Sequence, residues 1–135
     1  IDATKTGDIT RDGQIWSYAL QKHVFGTPVL HEGLIYLADC GRRFHCVDAA
    51  TGRAVWTHEI NGEVWASPLV ADGKVYLGNE EGELFILAHG KELKEIAAIE
   101  FPSSIMGTPT AANGVLYLST HTHLYAFKEG GKPVN

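Results

Sequence analysis

Two pairs of residues with reactive side chains lie close together in this sequence. Cys40 and Cys46 could form a disulfide or half of a metal site, and His121 and His123 have strand spacing that suits zinc ligands. A hairpin that places Cys40 in its turn puts Cys46 opposite Ile35. The Cα atoms of the two cysteines are then farther apart than the separation of about 7 Å that a disulfide allows. The two histidines have no neighbouring cysteine or carboxylate to complete a zinc set. The sequence therefore predicts free thiols, solvated histidines and no metal site.

Three other side chains are candidates for contact with a partner. Arg42 and Arg43 form an adjacent basic pair at a predicted turn, on the rim of a sheet. Trp65 precedes Pro68 by three residues and has no packing role that the sequence assigns. The sequence has no Gly-x-Ser-x-Gly elbow and no glycine-rich phosphate loop, so these residues are not accompanied by a catalytic motif. We predict a binding surface and no catalytic residue, and we leave open whether the whole protein is an enzyme.

The composition excludes two classes of partner. The net charge of −5 gives no electrostatic reason to expect binding to nucleic acid or to an anionic membrane surface. No apolar run approaches the roughly 20 residues that span a bilayer. The hydrophobic fraction of 44% and charged fraction of 20% are those of a folded globular protein.

The chain is built from a repeat. A small residue, a serine or threonine, and a proline recur three times, at residues 26–28, 66–68 and 107–109. A turn glycine and a strand centred on tyrosine follow each copy, and the spacings are 40 and then 41 residues. A period of about 40–45 residues with strand-like content is typical of a propeller blade. The sequence predicts an all-β fold whose repeats cover approximately residues 14–53, 54–93 and 94–128.

Within a repeat the apolar residues occupy both faces of each strand, so every sheet needs a neighbour on either side. The strands predicted for the first blade are Gln14–Leu20, Val24–Leu30, Leu34–Ala38 and Phe44–Val47, with Trp16 innermost. The following blades are predicted to begin at Val55 and at about Glu95. Residues 91–99 are rich in helix formers, but the repeat places Ile96 in the position of Trp56, and we therefore expect a strand there.

A segment with fixed offsets joins one blade to the next. Asp48 can accept hydrogen bonds from the amides that follow it, and Gly52 can supply the left-handed conformation that completes such a turn. Trp56 then brings an indole that can bury a large apolar area against the neighbouring sheet. We interpret Asp48, Thr51, Gly52 and Trp56, together with Trp16, as structural docking residues.

Residues 46–56 resemble the tryptophan-docking motif of the pyrroloquinoline-quinone-like propeller repeat family. That motif runs Ala-x-Asp-x-x-Thr-Gly-x-x-x-Trp, and here Cys46 replaces its alanine. The other copies depart further, because the first has an insertion before Trp16 and the second has Ala-His-Gly-Lys at residues 88–91. The resemblance extends over roughly residues 1–127 and implies about three four-stranded antiparallel blades. Since a closed propeller has at least about four blades, we expect a fragment of a larger propeller, and the alternative is a protomer that completes its ring with another copy.

The resemblance implies two alternative functions. Some family members are quinone-dependent dehydrogenases, with the quinone and calcium in an axial funnel, adjacent cysteines near the cofactor and an arginine beside it. Others are non-catalytic, such as the propeller lipoproteins of outer-membrane β-barrel assembly. This segment has no adjacent cysteines, which favours a scaffold that presents loops to a protein partner or ligand. The alternative is a segment of a dehydrogenase, and quinone and calcium are expected only in that case.

The family also implies a location and a mode of association. Its members suggest a periplasmic or otherwise extracytoplasmic protein. The first and last sheets of an incomplete propeller have bare apolar faces and strand edges, and such surfaces associate. We therefore expect self-association through the terminal blades in addition to a protein partner.

Overall fold

The computed structural model describes residues 4–132, which contain eleven strands and no helix. Sheet I consists of β1 (Val29–His31), β2 (Leu34–Asp39), β3 (Arg43–Asp48) and β4 (Ala54–Glu59). Sheet II consists of β5 (Leu69–Ala71), β6 (Lys74–Gly78), β7 (Glu83–Ala88) and β8 (Glu95–Glu100). Sheet III consists of β9 (Thr110–Ala112), β10 (Val115–Ser119) and β11 (Leu124–Lys128). All pairings are antiparallel between consecutive strands. Over these residues there is accordingly no long apolar helix that could cross a membrane.

The first hairpin of each sheet is closed by a two-residue turn that ends in glycine. The turns are Glu32–Gly33, Asp72–Gly73 and Asn113–Gly114, and φ is positive at all six residues. Two consecutive positive φ values define a type I′ turn, whose twist matches that of the flanking strands. The predicted positions of the turn glycines are therefore confirmed.

The predicted innermost strand Gln14–Leu20 is wrong, because these residues have no strand partner within residues 4–132. Forty positions later the same pattern forms β4, the outermost strand of sheet I. Residues 14–20 thus correspond to an outer strand, and a strand forms only where another strand accepts its hydrogen bonds. Trp16 is not innermost either, since its indole lies on the β3–β4 loop of sheet I.

β1 is the edge of sheet I that lies next to β5 of sheet II, and we call this the inner edge. Most of the predicted strand Val24–Leu30 is irregular. Only residues 29–31 pair with β2. Pro28, immediately before them, has no amide hydrogen and cannot extend the ladder. The prediction that new blades begin at Val55 and Glu95 is also wrong, because β4 and β8 complete sheets I and II. The sheets therefore start about 15 residues later than the repeats as defined from the sequence.

The prediction of a strand within residues 91–99 is confirmed by β8. Pairing with β7 overrides the helix propensity of this segment, as tertiary context often does. The assignment of Ile96 to the position of Trp56 is wrong by one residue. Trp56 pairs with Cys46, whereas Ala97 pairs with Ile86, and each ladder is irregular at the next step.

The two cysteines are free, as predicted, and both are buried, although the register predicted for their hairpin is wrong. Cys46 lies opposite Tyr36 rather than Ile35. The β2–β3 turn contains three residues, and its last residue, Arg42, has a φ of 63°. Three-residue hairpin turns commonly end in this left-handed conformation. The turn is one residue shorter than expected, which shifts every pairing by one.

The two faces of sheet II pack against different neighbours. Val75 and Leu87 lie in the core shared with sheet I, which contains Tyr36. Leu84, on the opposite face, packs with Leu118 of sheet III. The expectation that each sheet is packed between two others is therefore met by sheet II.

A buried polar chain crosses the first sheet. Asp39 and His45 are 0% and 3% exposed, and Asp39 Oδ2 lies 3.3 Å from His45 Nε2. His45 Nδ1 lies 3.0 Å from the hydroxyl of Tyr18. Burial outweighs the Asp39 hydrogen bond and lowers the pKa of His45 below its usual value. The folded protein therefore keeps this imidazole neutral more readily than the unfolded chain does.

We predict that the stability of the protein falls as the pH drops below about 6.5, the ordinary pKa of histidine. In that range the unfolded chain takes up a proton that folded His45 resists, so acid favours unfolding. Thermal melts between pH 5 and pH 8 should reveal this slope, and His45→Gln should flatten it. The exposed His121→Gln variant is the control and should retain it. An unchanged slope in His45→Gln would assign the effect to other groups.

We predict that both thiols resist alkylation in the folded protein and react after unfolding. Burial raises the pKa of Cys46 to about 11 and also raises that of Cys40, so little thiolate is present near neutral pH. Mass spectrometry after treatment with iodoacetamide should find no label on the native chain and two labels in denaturant. A native mass two units low, with no label after unfolding, would indicate a disulfide instead.

Candidate functional site

A row of large apolar side chains lies exposed along the inner edges of the three sheets. Phe25, Trp65 and Met106 each precede the small residue of the repeated motif, with spacings of 40 and 41 residues. Their exposed fractions are 53%, 39% and 44%. We call these three residues the inner-edge row. Exposed large apolar residues that are aligned in this way are typical of binding surfaces.

Close contact between the inner segments aligns the row. The amide of Thr27 donates to Ser67 Oγ at 2.7 Å, and the amide of Ser67 donates to Thr108 Oγ1 at 3.1 Å. A Cβ on Gly26 would lie only 2.4 Å from the carbonyl oxygen of Ala66. The small residue permits the approach, and the hydroxyl then fixes the offset between neighbouring sheets. The large residue before each motif is consequently placed beside its counterparts.

Two members of the row form a stacked pair. The rings of Phe25 and Trp65 are 4.3 Å apart and inclined by 6°, and His23 meets Phe25 edge-on at 4.8 Å. Such offset aromatic pairs are favourable beyond the area that they bury. Trp65, whose role the sequence left open, therefore has a defined place in a partly exposed aromatic cluster.

The row lies near the end of the sheets that carries the β2–β3, β6–β7 and β10–β11 turns. At this end the amide of Cys40 donates to the His23 carbonyl at 3.0 Å, and the amide of Glu80 donates to the Glu63 carbonyl at 3.0 Å. Arg42 is in the β2–β3 turn, and Arg43 extends toward the outer edge, where it meets Glu59 at 3.4 Å. Among residues 4–132, no hydrogen bond, ion pair or ring contact connects either arginine with the row.

The predicted docking turn forms around Asp48. Its Oδ1 accepts hydrogen bonds from the Ala50 amide at 3.1 Å, the Thr51 amide at 2.9 Å and the Thr51 hydroxyl at 2.8 Å. The Thr51 hydroxyl and then its amide lower the pKa of Asp48, because they stabilise the carboxylate. Gly52 follows with a φ of 69°, and a Cβ there would lie 2.5 Å from the ring of Trp16.

Both predicted docking tryptophans reach a neighbouring β3–β4-type loop. The indole of Trp16 donates to the Ala49 carbonyl at 2.9 Å. The indole of Trp56, on sheet I, donates to the Gly90 carbonyl of sheet II at 3.1 Å. These contacts lie at the opposite end of the sheets from the inner-edge row. The structure thus separates the docking residues from the candidate binding surface.

Sequence reasoning missed two of the three residues of the row. Phe25 and Met106 precede Gly26 and Gly107 just as Trp65 precedes Ala66, so the repeat itself contained the signal. Chemically the row can stack on and cover an apolar group. Among residues 4–132, His23 is the one titratable side chain whose ring contacts a member of the row.

Comparisons with known proteins agree with this architecture. Residues 6–92 match the family model described as outer membrane protein assembly factor BamB. No curated protein matches the sequence. The structure is similar to BamB from Moraxella catarrhalis, with a TM-score of 0.75 and 20% identity over 87% of this chain and 38% of that one.

Two enzymes have similar structures. The quinohemoprotein alcohol dehydrogenase ADHIIG from Pseudomonas putida HK5 gives a TM-score of 0.70 and 20% identity, and covers 82% of this chain. The quinohemoprotein alcohol dehydrogenase from Comamonas testosteroni gives a TM-score of 0.67 and 26% identity over 78% of this chain. The chain spans 19% and 18% of their lengths. These structural similarities show the fold: the three sheets are blades of a β-propeller. Because the family model matches more than half of the chain, the protein belongs to the PQQ-like propeller repeat family of the outer membrane protein assembly factor BamB.

Proposed function

We propose that this segment is a non-catalytic propeller scaffold that binds a protein partner through the inner-edge row. The single observation that supports this function is the exposure of Phe25, Trp65 and Met106 at equivalent positions of the three inner segments. Binding energy at protein interfaces is concentrated in a few aromatic anchors, and tryptophan is the most enriched of them. The stacked pair is already ordered, so little side-chain entropy is lost when a partner covers it.

The description of the family supports the class of partner and the location. The matched family model is described as an outer membrane protein assembly factor, which supports a partner that is itself a protein. We infer a periplasmic or otherwise extracytoplasmic protein whose partner offers apolar side chains to the row. Arg42 and Arg43, in and after the β2–β3 turn, add a basic border at the same end of the sheet.

In this proposal the docking residues have a structural role. Trp16 and Trp56 each carry an indole to the next loop, and the turn of Asp48, Thr51 and Gly52 shapes one of the surfaces that receives it. These contacts hold the blades in the arrangement that aligns the inner-edge row. The binding surface therefore depends on residues at the far end of the sheets.

The alternative, a segment of a quinone-dependent dehydrogenase, rests on the structural likeness to the two alcohol dehydrogenases. The residues around the row do not fit a quinone with a calcium ion. Trp65 already stacks on Phe25, so one face of its ring is covered. The group of potential metal ligands found among residues 4–132 is His31, Glu32 and His89, at the other end of the sheets. Calcium also prefers oxygen ligands to imidazole.

We predict that Gly52→Ala destabilises the protein more than Gly33→Ala does. Both glycines have positive φ, 69° and 77°, but nothing lies within 4 Å of a Cβ at Gly33. Gly33→Ala, the control, should lower the free energy of unfolding by about 1 kcal/mol because of the left-handed backbone. Gly52→Ala should lower it by about 1–3 kcal/mol more because of the clash with Trp16. Urea unfolding measures both. In a Trp16→Ala background the difference should vanish, and its persistence would argue against indole docking.

We predict that the partner is captured through position 65. A photo-cross-linking phenylalanine analogue at Trp65 of the full-length protein should form a covalent protein adduct in cells. The same analogue at Leu93 is the matched control, because Leu93 is 42% exposed but lies in the β7–β8 loop at the opposite end. With the partner identified by mass spectrometry, Trp65→Ala should weaken its binding at least tenfold.

The same variant tests the alternative function. The full-length protein is titrated with pyrroloquinoline quinone and calcium while tryptophan fluorescence is followed. We expect no saturable quenching that depends on Trp65. If saturable quenching occurs and is lost in Trp65→Ala, and if no protein adduct forms at this position, the dehydrogenase is favoured over the scaffold.

A further inference from the structure

Three potential metal ligands from two sheets meet at the end of the sheets opposite the inner-edge row. His31 ends β1, Glu32 begins the β1–β2 turn, and His89 lies in the β7–β8 loop. One ligand atom from each lies within 4.8 Å of the other two. His89 Nε2 is 3.2 Å from Glu32 Oε2, and His31 Nε2 is 3.9 Å from Glu32 Oε1. The three side chains therefore converge across the boundary between sheets I and II.

The structure fixes the orientation of His89. Its Nδ1 is 2.8 Å from the hydroxyl of Tyr36, a residue that is fully buried in sheet I. The same hydroxyl accepts a hydrogen bond from the Gly90 amide at 3.1 Å, and the Trp56 indole donates one to the Gly90 carbonyl. The loop that carries His89 is thus held from both sides, and Nε2 points toward Glu32 and His31. A partner on the second ring nitrogen is the usual way in which proteins orient a metal-binding histidine.

The Tyr36 hydroxyl can form a hydrogen bond with either tautomer of His89. It can donate to Nδ1 while the Nε2 proton of His89 bonds to Glu32. It can also accept a hydrogen bond from a protonated Nδ1, in which case the Nε2 lone pair is free for coordination. Both tautomers of His89 are therefore satisfied.

The cluster is not a product of the repeat. Alanines, Ala71 and Ala112, occupy the place of His31 in the other two sheets, and Ala49 occupies the place of His89 in sheet I. His89 lies where the second copy departs from the docking motif. Packing of the blades alone does not require either histidine at this point.

We propose that His31, Glu32 and His89 bind a divalent ion of the zinc class between the first two blades. Two imidazoles and one carboxylate form a ligand set that suits zinc, cobalt or nickel and leaves a position for water. Zinc lies about 2.0–2.1 Å from such ligands, so neighbouring tetrahedral ligands are roughly 3.3 Å apart. His89 and Glu32 already have this separation. His31 Nε2 is 3.9 Å from Glu32 Oε1, so the half-exposed His31 side chain has to move closer to complete the site.

Zinc titration tests the proposal directly on the untagged, chelator-treated chain. We expect calorimetry to show one equivalent of bound zinc, cobalt to give the visible absorption bands of a low-coordinate site, and calcium to give neither. His31→Gln and His89→Gln should each weaken zinc binding at least tenfold. Glu32→Gln should weaken it as well, because the amide is a poorer ligand than the carboxylate.

His31→Gln separates a metal site from a simple ion pair between the blades. This change leaves the contact of His89 with Glu32 intact and removes only the third ligand. The matched control is His58→Gln, because His58 lies 3.6 Å from Glu95 and none of the three-ligand groups among residues 4–132 includes it. Zinc binding in this variant should be unchanged.

Two results would overturn the proposal: no saturable zinc binding by the wild-type chain, or equal binding by wild type and His31→Gln. If His89→Gln fails to fold, His31→Gln and Glu32→Gln still decide the outcome, since both residues are exposed. Circular dichroism of each metal-free variant identifies a folding failure. In the wild type, zinc should also raise the melting temperature, because an ion that binds only the folded state stabilises it.

Discussion

The close approach of the inner segments is the constraint on which the rest of this structure depends. Gly26 leaves room for the Ala66 carbonyl, and the hydroxyl of Ser67 receives the Thr27 amide from the adjacent sheet. Where the inner edges meet at a fixed offset, the sheet faces behind them must also meet. The apolar residues on both faces of sheet II are buried as a consequence. A larger residue at the glycine would separate the inner edges and expose those faces.

The two ends of the sheets have different chemistry as a result of this arrangement. At one end the inner-edge row presents an ordered apolar surface next to short turns. At the other end the type I′ turns and the β3–β4-type loops hold the indoles of Trp16 and Trp56 and bring His31 close to His89. A protein partner and a metal ion would thus occupy sites separated by the length of a blade.

The repeat allowed most of the fold to be predicted, and it failed where structure depends on partners distant in sequence. Gly73 and β8 were predicted correctly, since turn chemistry and repeat spacing are properties of the local sequence. Residues 14–20 were assigned to a strand because their pattern matches β4, but a pattern cannot supply a hydrogen-bonded neighbour. The position of Cys46 shifted by one residue because the turn length was not evident. The group of His31 and His89 could not be foreseen, because these residues lie 58 positions apart.

The two hydrogen bonds that link the inner segments within residues 4–132 have the same direction. Thr27 donates to Ser67, and Ser67 donates to Thr108, so the middle blade offers a hydroxyl acceptor to one neighbour and an amide donor to the other. A unit with complementary donor and acceptor sides is a heterologous building block. Duplication or deletion of one 40-residue unit during evolution would preserve every such bond between the remaining neighbours. Blade number in this architecture is therefore limited by the curvature needed to close the ring, and not by the local chemistry of the junctions.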